Sequence, residues 1–218
     1  MLKNFIMMFF RGINELLFPP RCLGCRTLHH GLCPQCLSIW KGSSFQTKID
    51  VIPVFSSVAY ASVATNILLA SKEDGIEEAD EMLVEALRHS LYRAIAALKI
   101  RPILVPIPST SRAVRHRGRN FLLDIAARVG QLESLPVREL LRHNRIVQDQ
   151  SILNARARHE NLSGALSVTS LSGKGVDVLL IDDLITTGAT LNEAVRALTI
   201  SGFAVRGAIT ACVALPLR

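Results

Sequence analysis

The sequence predicts an α/β fold that is built on a mostly parallel β-sheet. From residue 51 onward, apolar β-rich runs alternate with helical patterns, and this alternation is typical of a parallel sheet covered on both faces. The chain has 218 residues and is 49% hydrophobic, which favours a buried core and excludes a disordered protein. We expect a small N-terminal unit over residues 1–48 and an α/β domain over residues 49–218.

The N-terminal segment, MLKNFIMMFFRGINELLFPP, carries apolar side chains at helical spacing and predicts an amphipathic helix that ends before Pro19. Its apolar run, residues 5–10, is too short to span a bilayer. No small-residue cleavage site follows it, so a secretory signal is disfavoured. We therefore predict a cytoplasmic protein without a transmembrane segment, with reversible contact of this helix with the inner membrane as the alternative.

Four cysteines follow in the pattern C-x2-C-x7-C-x2-C: Cys22, Cys25, Cys33 and Cys36. Two such pairs can place four thiolates around one Zn²⁺ ion, and a site closed by four sulfurs is typically structural. Two disulfides are the alternative, although disulfides are rare in cytosolic proteins. The pattern predicts a compact zinc knuckle.

The elements of the α/β domain begin after a polar linker, residues 41–50. Residues 51–60 predict one or two short strands. Apolar positions at helical spacing over residues 76–98, with acidic residues in the first turns, predict a long helix. Residues 102–107 predict a buried strand that leads into a basic loop.

The second half continues the alternation of helices and strands. A helix is expected over residues 120–129, with Gly130 as its stop signal. Residues 139–164 predict an irregular stretch with a short helix. Further on, the face formed by residues 191–198 predicts a helix, and residues 203–215 predict the last strand.

Residues 176–190, VDVLLIDDLITTGAT, predict a strand over Val176–Ile181 that ends in Asp182 and Asp183. Carboxylates can accept hydrogen bonds from ribose hydroxyls or lie near Mg²⁺. The following loop and helix N-terminus can donate N–H and hydroxyl groups to a phosphate. A buried strand with a polar turn is the alternative. The predicted phosphate-binding residues are Thr186, Thr187, Gly188, Ala189 and Thr190.

The net charge of +7 lies mostly in residues 101–160, which hold 11 basic and 5 acidic residues. All 11 are arginines, which suit phosphate groups, so an anionic partner is predicted. Aromatic residues make up only 5% of the chain, so contact with single-stranded DNA would be mainly electrostatic. Solvated or paired arginines are the alternative. The predicted nucleic-acid-binding residues are Arg112, Arg115, Arg117 and Arg119.

Residues 176–190 resemble the phosphoribosyl pyrophosphate (PRPP) signature of type I phosphoribosyltransferases: four hydrophobic residues, two acids, two hydrophobics and a Thr/Gly-rich loop. The resemblance implies a Rossmann-like core that binds PRPP with Mg²⁺. It implies that Asp182 and Asp183, the candidate catalytic residues, contact the ribose hydroxyls. It also implies that the loop of residues 186–190 holds the 5′-phosphate.

The order of motifs is similar to that of ComF-type competence proteins. FPPRCLGC at residues 18–25, VPIPS at 105–109 and RGRN at 117–120 carry the resemblance, together with Gln150, Leu153, Arg158, Asn161 and Gly164. The likeness implies a role in natural competence, DNA uptake or DNA processing, with single-stranded DNA and competence-machinery proteins as partners.

Lys72 falls in the segment that corresponds to the pyrophosphate loop of that family, and it is followed by Glu73 and Asp74. Two carboxylates there would repel pyrophosphate unless they hold Mg²⁺ or point away. Lys72 is therefore a predicted substrate-binding residue in an unusually acidic setting.

Three functions fit these patterns, because one fold hosts many activities. The chain could act as a DNA-binding competence protein with a PRPP site. It could be an active Mg²⁺-dependent phosphoribosyltransferase, similar to an amidophosphoribosyltransferase, in nucleotide metabolism or salvage. It could also be a regulator that binds PRPP without turning it over. A homodimer is compatible with each function.

Overall fold

The computed structural model describes residues 19–41, 43–144, 164–169 and 172–217. The predicted N-terminal helix and most of the predicted irregular stretch, including Gln150, Leu153, Arg158 and Asn161, lie outside these residues. The described chain forms seven strands: β1 (Phe45–Ile49), β2 (Ile52–Ala59), β3 (Ile103–Pro106), β4 (Leu141–His143), β5 (Leu166–Val168), β6 (Asp177–Ile185) and β7 (Ala204–Val213). It forms six helices: α1 (Pro34–Lys41), α2 (Ser62–Lys72), α3 (Glu77–Leu98), α4 (Ser111–Arg117), α5 (Phe121–Glu133) and α6 (Ala189–Ile200).

Five strands make one sheet in the order β1-β2-β7-β6-β3. The pairs β2–β7, β7–β6 and β6–β3 are parallel, and β1 joins the edge antiparallel to β2. Strands β4 and β5 form a separate antiparallel pair. The predicted α/β class with a mostly parallel sheet is confirmed.

The core lies between this sheet and its helices. Central strand β6 has the uninterrupted apolar run that a strand buried on both faces requires, and Leu179, Leu180 and Ile181 are fully buried. Helix α3 packs against β2 and β7 through side chains spaced four residues apart, of which Leu83, Leu87 and Leu91 are buried. None of the helices in the described ranges combines the length and hydropathy that crossing a bilayer requires.

Three segments differ from the predictions. Residues 45–49, expected in a linker, form β1 because Ile49 is buried and the strand pairs with β2. Residues 62–72, for which no helix was predicted, form α2. Residues 111–117, expected in a basic loop, form α4, whose first turn is capped by the Thr110 hydroxyl.

Gly130 does not stop helix α5, which continues to Glu133. A Cβ at position 130 would lie 2.4 Å from Cγ2 of Val137, so glycine is required there for close packing. The helix ends instead at Ser134, which adopts the left-handed conformation.

Strands β4 and β5 are held to α6 by one buried acid. Glu193 is only 5% exposed, and its carboxylate accepts hydrogen bonds from the Leu166 N–H at 3.0 Å and from Nε of Arg196 at 2.7 Å. Arg196 also donates to the Leu166 carbonyl at 3.2 Å. Burial alone would raise the pKa of Glu193, but Arg196 and the backbone donors outweigh it and hold the pKa below its usual value.

We predict that Glu193→Ala lowers the free energy of unfolding by about 1–3 kcal/mol, because it leaves the buried Leu166 N–H without an acceptor. Chemical denaturation at neutral pH measures this loss. Because the folded-state pKa of Glu193 is lowered, its charge stabilises the fold above pH 4.5 and loses that effect as the pH falls through the folded pKa. Glu193→Gln, which keeps an acceptor, should lose less stability; an equal loss would contradict the role of the N–H.

Candidate functional site

The acid pair lies within strand β6 rather than after it, since β6 continues to Ile185. Strand β3 ends at Pro106, which pairs with Ile181 on β6. The last hydrogen bond on this side of β6 is donated by the Ile107 N–H to the Ile181 carbonyl at 2.9 Å. Beyond this point β6 pairs only with β7. Asp182 and Asp183 therefore lie where one neighbouring strand has ended, at the carboxyl edge of the parallel strands, where α/β folds place their ligands.

A cavity of about 170 Å³ opens at this position. It is lined by Lys72, Ile107, Pro108, Ser109, Arg117, Phe121, Leu122, Asp182 and Asp183. The fold thus brings Lys72 from the end of α2 to the predicted acid pair. The predicted phosphate loop, residues 186–190, does not line this cavity.

The strongest contact in the cavity is an ion pair in which Nζ of Lys72 lies 2.6 Å from Oδ2 of Asp183. Burial would lower the pKa of Lys72, but Asp183 and Asp182 outweigh it and raise the pKa, so the ammonium stays charged. Burial would raise the pKa of Asp183, but Lys72 overcomes this and lowers the pKa. Asp183 is therefore an ionised acceptor with a fixed cation.

Asp182 has the opposite electrostatics. Burial, followed by the negative charge of Asp183, raises its pKa well above the ordinary value. Its Oδ1 accepts from the Asp183 N–H at 2.9 Å. The pKa values of the two adjacent carboxyls are thus driven in opposite directions.

Glu73, predicted to repel pyrophosphate unless it holds Mg²⁺ or points away, is neutralised by an arginine. Nη2 of Arg117 lies 2.8 Å from its Oε1, and Nε lies 3.2 Å from both carboxylate oxygens. The hydrogen bonds from Arg117 outweigh the effect of burial and lower the pKa of Glu73. Asp74 is exposed.

The four predicted DNA-binding arginines fall into two groups. Arg112 and Arg115 on α4 are exposed. Arg117 is paired with Glu73, and Arg119 is paired with the buried Asp80 through Nη1 to Oδ2 at 2.6 Å. Only the first pair is free to meet an extended anion without breaking an ion pair within the described chain. Asp80 was not identified from the sequence, because nothing in the acidic start of α3 distinguishes it from its solvated neighbours.

The predicted phosphate loop begins where β6 ends. Gly188, at φ +75°, precedes α6, and a Cβ there would lie 2.8 Å from Cδ1 of Ile49 on β1. Among the described residues, the N–H groups of Thr187 and Gly188 meet no hydrogen-bond acceptor. The loop therefore keeps donors at a helix N-terminus, as phosphate binding needs.

The four knuckle cysteines converge. Their sulfurs all lie within 4.8 Å of one another, and the Cys25 and Cys33 sulfurs are 3.7 Å apart, close to the edge of about 3.8 Å in a tetrahedral tetrathiolate site with Zn–S bonds of 2.3 Å. All of them are free thiols. Backbone donors, led by the Cys33 N–H, outweigh burial and lower the pKa of Cys22 to about 6. The cluster could hold a metal ion such as zinc.

The knuckle docks on the helix that carries Lys72. Nδ2 of Asn66 on α2 donates to the Gly24 carbonyl at 2.6 Å. A Cβ at Gly24 would lie 2.8 Å from the Cys36 sulfur and 3.0 Å from Cγ1 of Val63 on α2. Glycine is therefore required where the knuckle meets the helix.

Comparison with known proteins gives fold-level likenesses of low similarity. A scan against models of protein families finds no match, and neither does a search of curated proteins. The chain resembles a phosphoribosylpyrophosphate synthetase from Mycobacterium smegmatis at 16% identity and a TM-score of 0.38, covering 64% of this chain and 38% of that chain. It resembles the glutamine PRPP amidotransferase from B. subtilis at 20% identity and a TM-score of 0.34, covering 58% and 26%.

An adenine phosphoribosyltransferase from Leishmania tarentolae matches at 13% identity and a TM-score of 0.43, covering 78% of this chain and 94% of that chain. The chain thus spans about two fifths of the synthetase and about a quarter of the amidotransferase. All three TM-scores are below 0.5.

We predict that the purified protein holds one metal ion per chain on the four knuckle sulfurs. Replacement by Co²⁺ should give the thiolate charge-transfer and d–d absorption of a tetrahedral tetrathiolate site, and Cys25→Ser should abolish both the spectrum and the bound metal. Cys212→Ser is the matched control, because Cys212 is a buried free thiol in β7, outside the cluster. Equal metal loss in both variants would contradict the assignment.

Proposed function

We propose that this protein binds PRPP through the cavity at the carboxyl edge of β6. One observation supports this proposal above all: Lys72 and the Asp182–Asp183 pair line one cavity, at the strand whose sequence resembles the PRPP signature. Lys72 and Asp183 are 111 residues apart in the sequence. A ribose needs acceptors for its hydroxyls, and a pyrophosphate needs a nearby cation. The cavity presents both.

In this proposal the ribose hydroxyls donate to Asp183 and contact Asp182, whose pKa is raised by burial and by its charged neighbour. Lys72 faces the pyrophosphate in the cavity. The 5′-phosphate would extend out of the cavity toward the donors at residues 187 and 188, in the loop that follows β6. The acid pair is the set of oxygen ligands that would hold Mg²⁺. When bound, Mg²⁺ would supply neutralising charge for the pyrophosphate.

We assign Zn²⁺ as the metal of the cysteine cluster, with a structural role. Four sulfurs leave no open position for a substrate, and the cluster lies on α2 through Asn66 rather than in the cavity. The metal would hold the knuckle together, and the knuckle would support the helix that ends at Lys72.

For the biological role we propose the handling of single-stranded DNA in natural competence, uptake or processing. The motif order resembles that of ComF-type proteins. The exposed Arg112 and Arg115 give α4 a basic face that meets no carboxylate in the part of the chain that the structure describes. Helix α4 follows the Pro108–Ser109 wall of the cavity, so DNA on this face would lie beside the bound sugar phosphate.

Catalytic transfer from PRPP is the second candidate. It is favoured by the pairing of Glu73 with Arg117, since a neutralised Glu73 removes one of the two repulsive charges beside the pyrophosphate position. Release of pyrophosphate on addition of an amine or a nucleobase would distinguish transfer from binding alone.

We predict Mg²⁺-dependent binding of PRPP, measured by isothermal titration calorimetry. Asp183→Asn should weaken it by about 10- to 100-fold, because a hydrogen bond to a charged group contributes about 1.5–3 kcal/mol. Asp182→Asn should weaken it as well, because the amide removes a carboxylate ligand of Mg²⁺. Asp177→Asn is the matched control, since Asp177 lies at the opposite end of the same strand and is half-exposed. No heat of binding by the wild type, or equal losses in all three variants, would contradict the proposal.

We also predict that single-stranded DNA binding weakens steeply with salt. Arg112→Ala/Arg115→Ala should make the slope of log K against log salt concentration shallower by about 1.4, since each lost phosphate contact on a single strand contributes about 0.7. The measurement is fluorescence anisotropy of a labelled oligonucleotide over a salt series.

The matched control for DNA binding is Lys99→Asn/Lys174→Asn. Both lysines are exposed and precede strands at the amino edge of the sheet, away from the cavity, and asparagine tolerates their left-handed backbone. This variant should keep the wild-type salt slope. If it loses as much as the arginine variant, binding depends on net charge and not on α4.

A further inference from the structure

The ion pair between Arg119 and Asp80 is hydrogen-bonded to Ser71, the residue that precedes Lys72. Nη1 and Nη2 of Arg119 donate to the two carboxylate oxygens of Asp80 at 2.6 and 2.8 Å. The same carboxylate accepts from the Ser71 hydroxyl at 2.5 Å, and Nη2 of Arg119 also donates to the Ser71 carbonyl at 2.8 Å. Side chain and backbone of Ser71 are thus both held, one residue before Lys72.

Two of the three residues of this network are buried, and Arg119 is partly buried. Ser71 is fully buried and Asp80 is 6% exposed. Burial alone would raise the pKa of Asp80, but Arg119 and Ser71 outweigh it and lower the pKa, so the carboxylate stays charged. A buried charge with its partners in place resists displacement, because losing any one of them leaves the others uncompensated.

Lys72 and Arg119 also share an aromatic ring. Nζ of Lys72 and Cζ of Arg119 lie 5.7 and 5.4 Å from the ring centroid of Phe121, which is 1% exposed. Each cation has its own carboxylate, Asp183 for Lys72 and Asp80 for Arg119. Asp80 therefore balances Arg119 locally and leaves Asp183 to Lys72.

We propose that Asp80 and Arg119 are positioning residues: their ion pair clamps Ser71 at the end of α2 and thereby holds the Lys72 ammonium on Asp183. A lysine side chain is long and flexible, and fixing the adjacent backbone reduces the ordering that ligand binding must supply. The inference deepens the proposed function, since it concerns the same site. It also assigns Arg119 a role inside the protein instead of DNA contact.

The clamp can be tested without any ligand. Competitive labelling with acetic anhydride, read by mass spectrometry, measures the reactivity of Lys72 relative to the exposed Lys174. An ammonium held on Asp183 is protected from the reagent, and a lysine released from its ion pair is accessible to it. We expect Asp80→Asn to raise Lys72 labelling about threefold, the population change that the loss of one partly exposed ion pair allows.

The matched control is Glu133→Gln. It breaks a comparable ion pair, in which Nε of Arg88 on α3 lies 2.5 Å from Oε1 of Glu133 on α5, and neither residue lines the cavity. Lys72 labelling should stay at the wild-type rate in this variant. Equal labelling of Lys72 in Asp80→Asn, Glu133→Gln and the wild type would overturn the proposal.

Asp80→Asn leaves Arg119 uncompensated and could unfold the chain, so Asp80→Asn/Arg119→Met provides a charge-free version. Methionine keeps an apolar contact with Phe121. This variant should fold, as near-ultraviolet circular dichroism reports. Lys72 should still label faster than in the wild type, because the Ser71 carbonyl has lost its Arg119 donor and the Ser71 hydroxyl keeps only a neutral amide acceptor. A folded variant with wild-type labelling would refute the clamp.

A measurement of PRPP binding separates this inference from the proposed function. With Mg²⁺ present, PRPP affinity should fall by about 10- to 100-fold in the charge-free variant, the usual cost of losing residues that hold a binding group in place. If the wild type binds no PRPP, the proposed function fails, and Lys72 labelling still decides whether the clamp exists. Unchanged affinity in the charge-free variant would overturn the clamp as a determinant of binding.

Discussion

The ion pair between Lys72 and Asp183 joins the end of α2 to the open edge of β6, and the geometry of the cavity depends on it. A single short contact between residues 111 positions apart drives the pKa values of the two acids in opposite directions. Because Lys72 stabilises the charge on Asp183, the second acid, Asp182, is left with the cost of burial and of a like-charged neighbour. The opposite pKa shifts of the two carboxyls therefore follow from where one helix ends.

Charge around the cavity is balanced in separate pairs. Lys72 pairs with Asp183, and two further acid–base pairs, Glu73 with Arg117 and Asp80 with Arg119, lie around the end of α2. Partly buried charges persist only when each has a partner close by. The pairing makes this part of the protein far less basic than its sequence suggests. Of the arginines in residues 111–119, Arg112 and Arg115 on α4 are the two that have no ion-pair partner within the described ranges. The proposed sugar-phosphate site and the proposed DNA-binding face would therefore be neighbours that use different cations.

The cysteine knuckle and the cavity are connected through helix α2, which contacts the knuckle and supplies Lys72 to the cavity. It contacts α2 through Asn66 and through the close approach of Gly24 to Val63, and α2 is held at its other end by the clamp on Ser71. A helix fixed at both ends can present a terminal lysine with little freedom. A metal in the knuckle would thus stabilise the ligand site through packing, although the cysteines do not line the cavity.

The sequence by itself determined the α/β class, the cysteine cluster and the acid pair, because each is specified by residues that lie close together in the chain. These are the alternation of strand-like and helix-like apolar patterns, the two C-x2-C units, and the two adjacent aspartates after an apolar run. It also singled out Lys72 through a resemblance. Only the tertiary structure decided that Lys72 reaches Asp183, that Arg119 turns inward to Asp80, and that β6 continues past its acids. The first two outcomes depend on ion pairs between residues 111 and 39 positions apart, and the third depends on the pairing of β6 with β7. Such contacts are set by burial and by the meeting of distant chain segments, which local patterns do not encode.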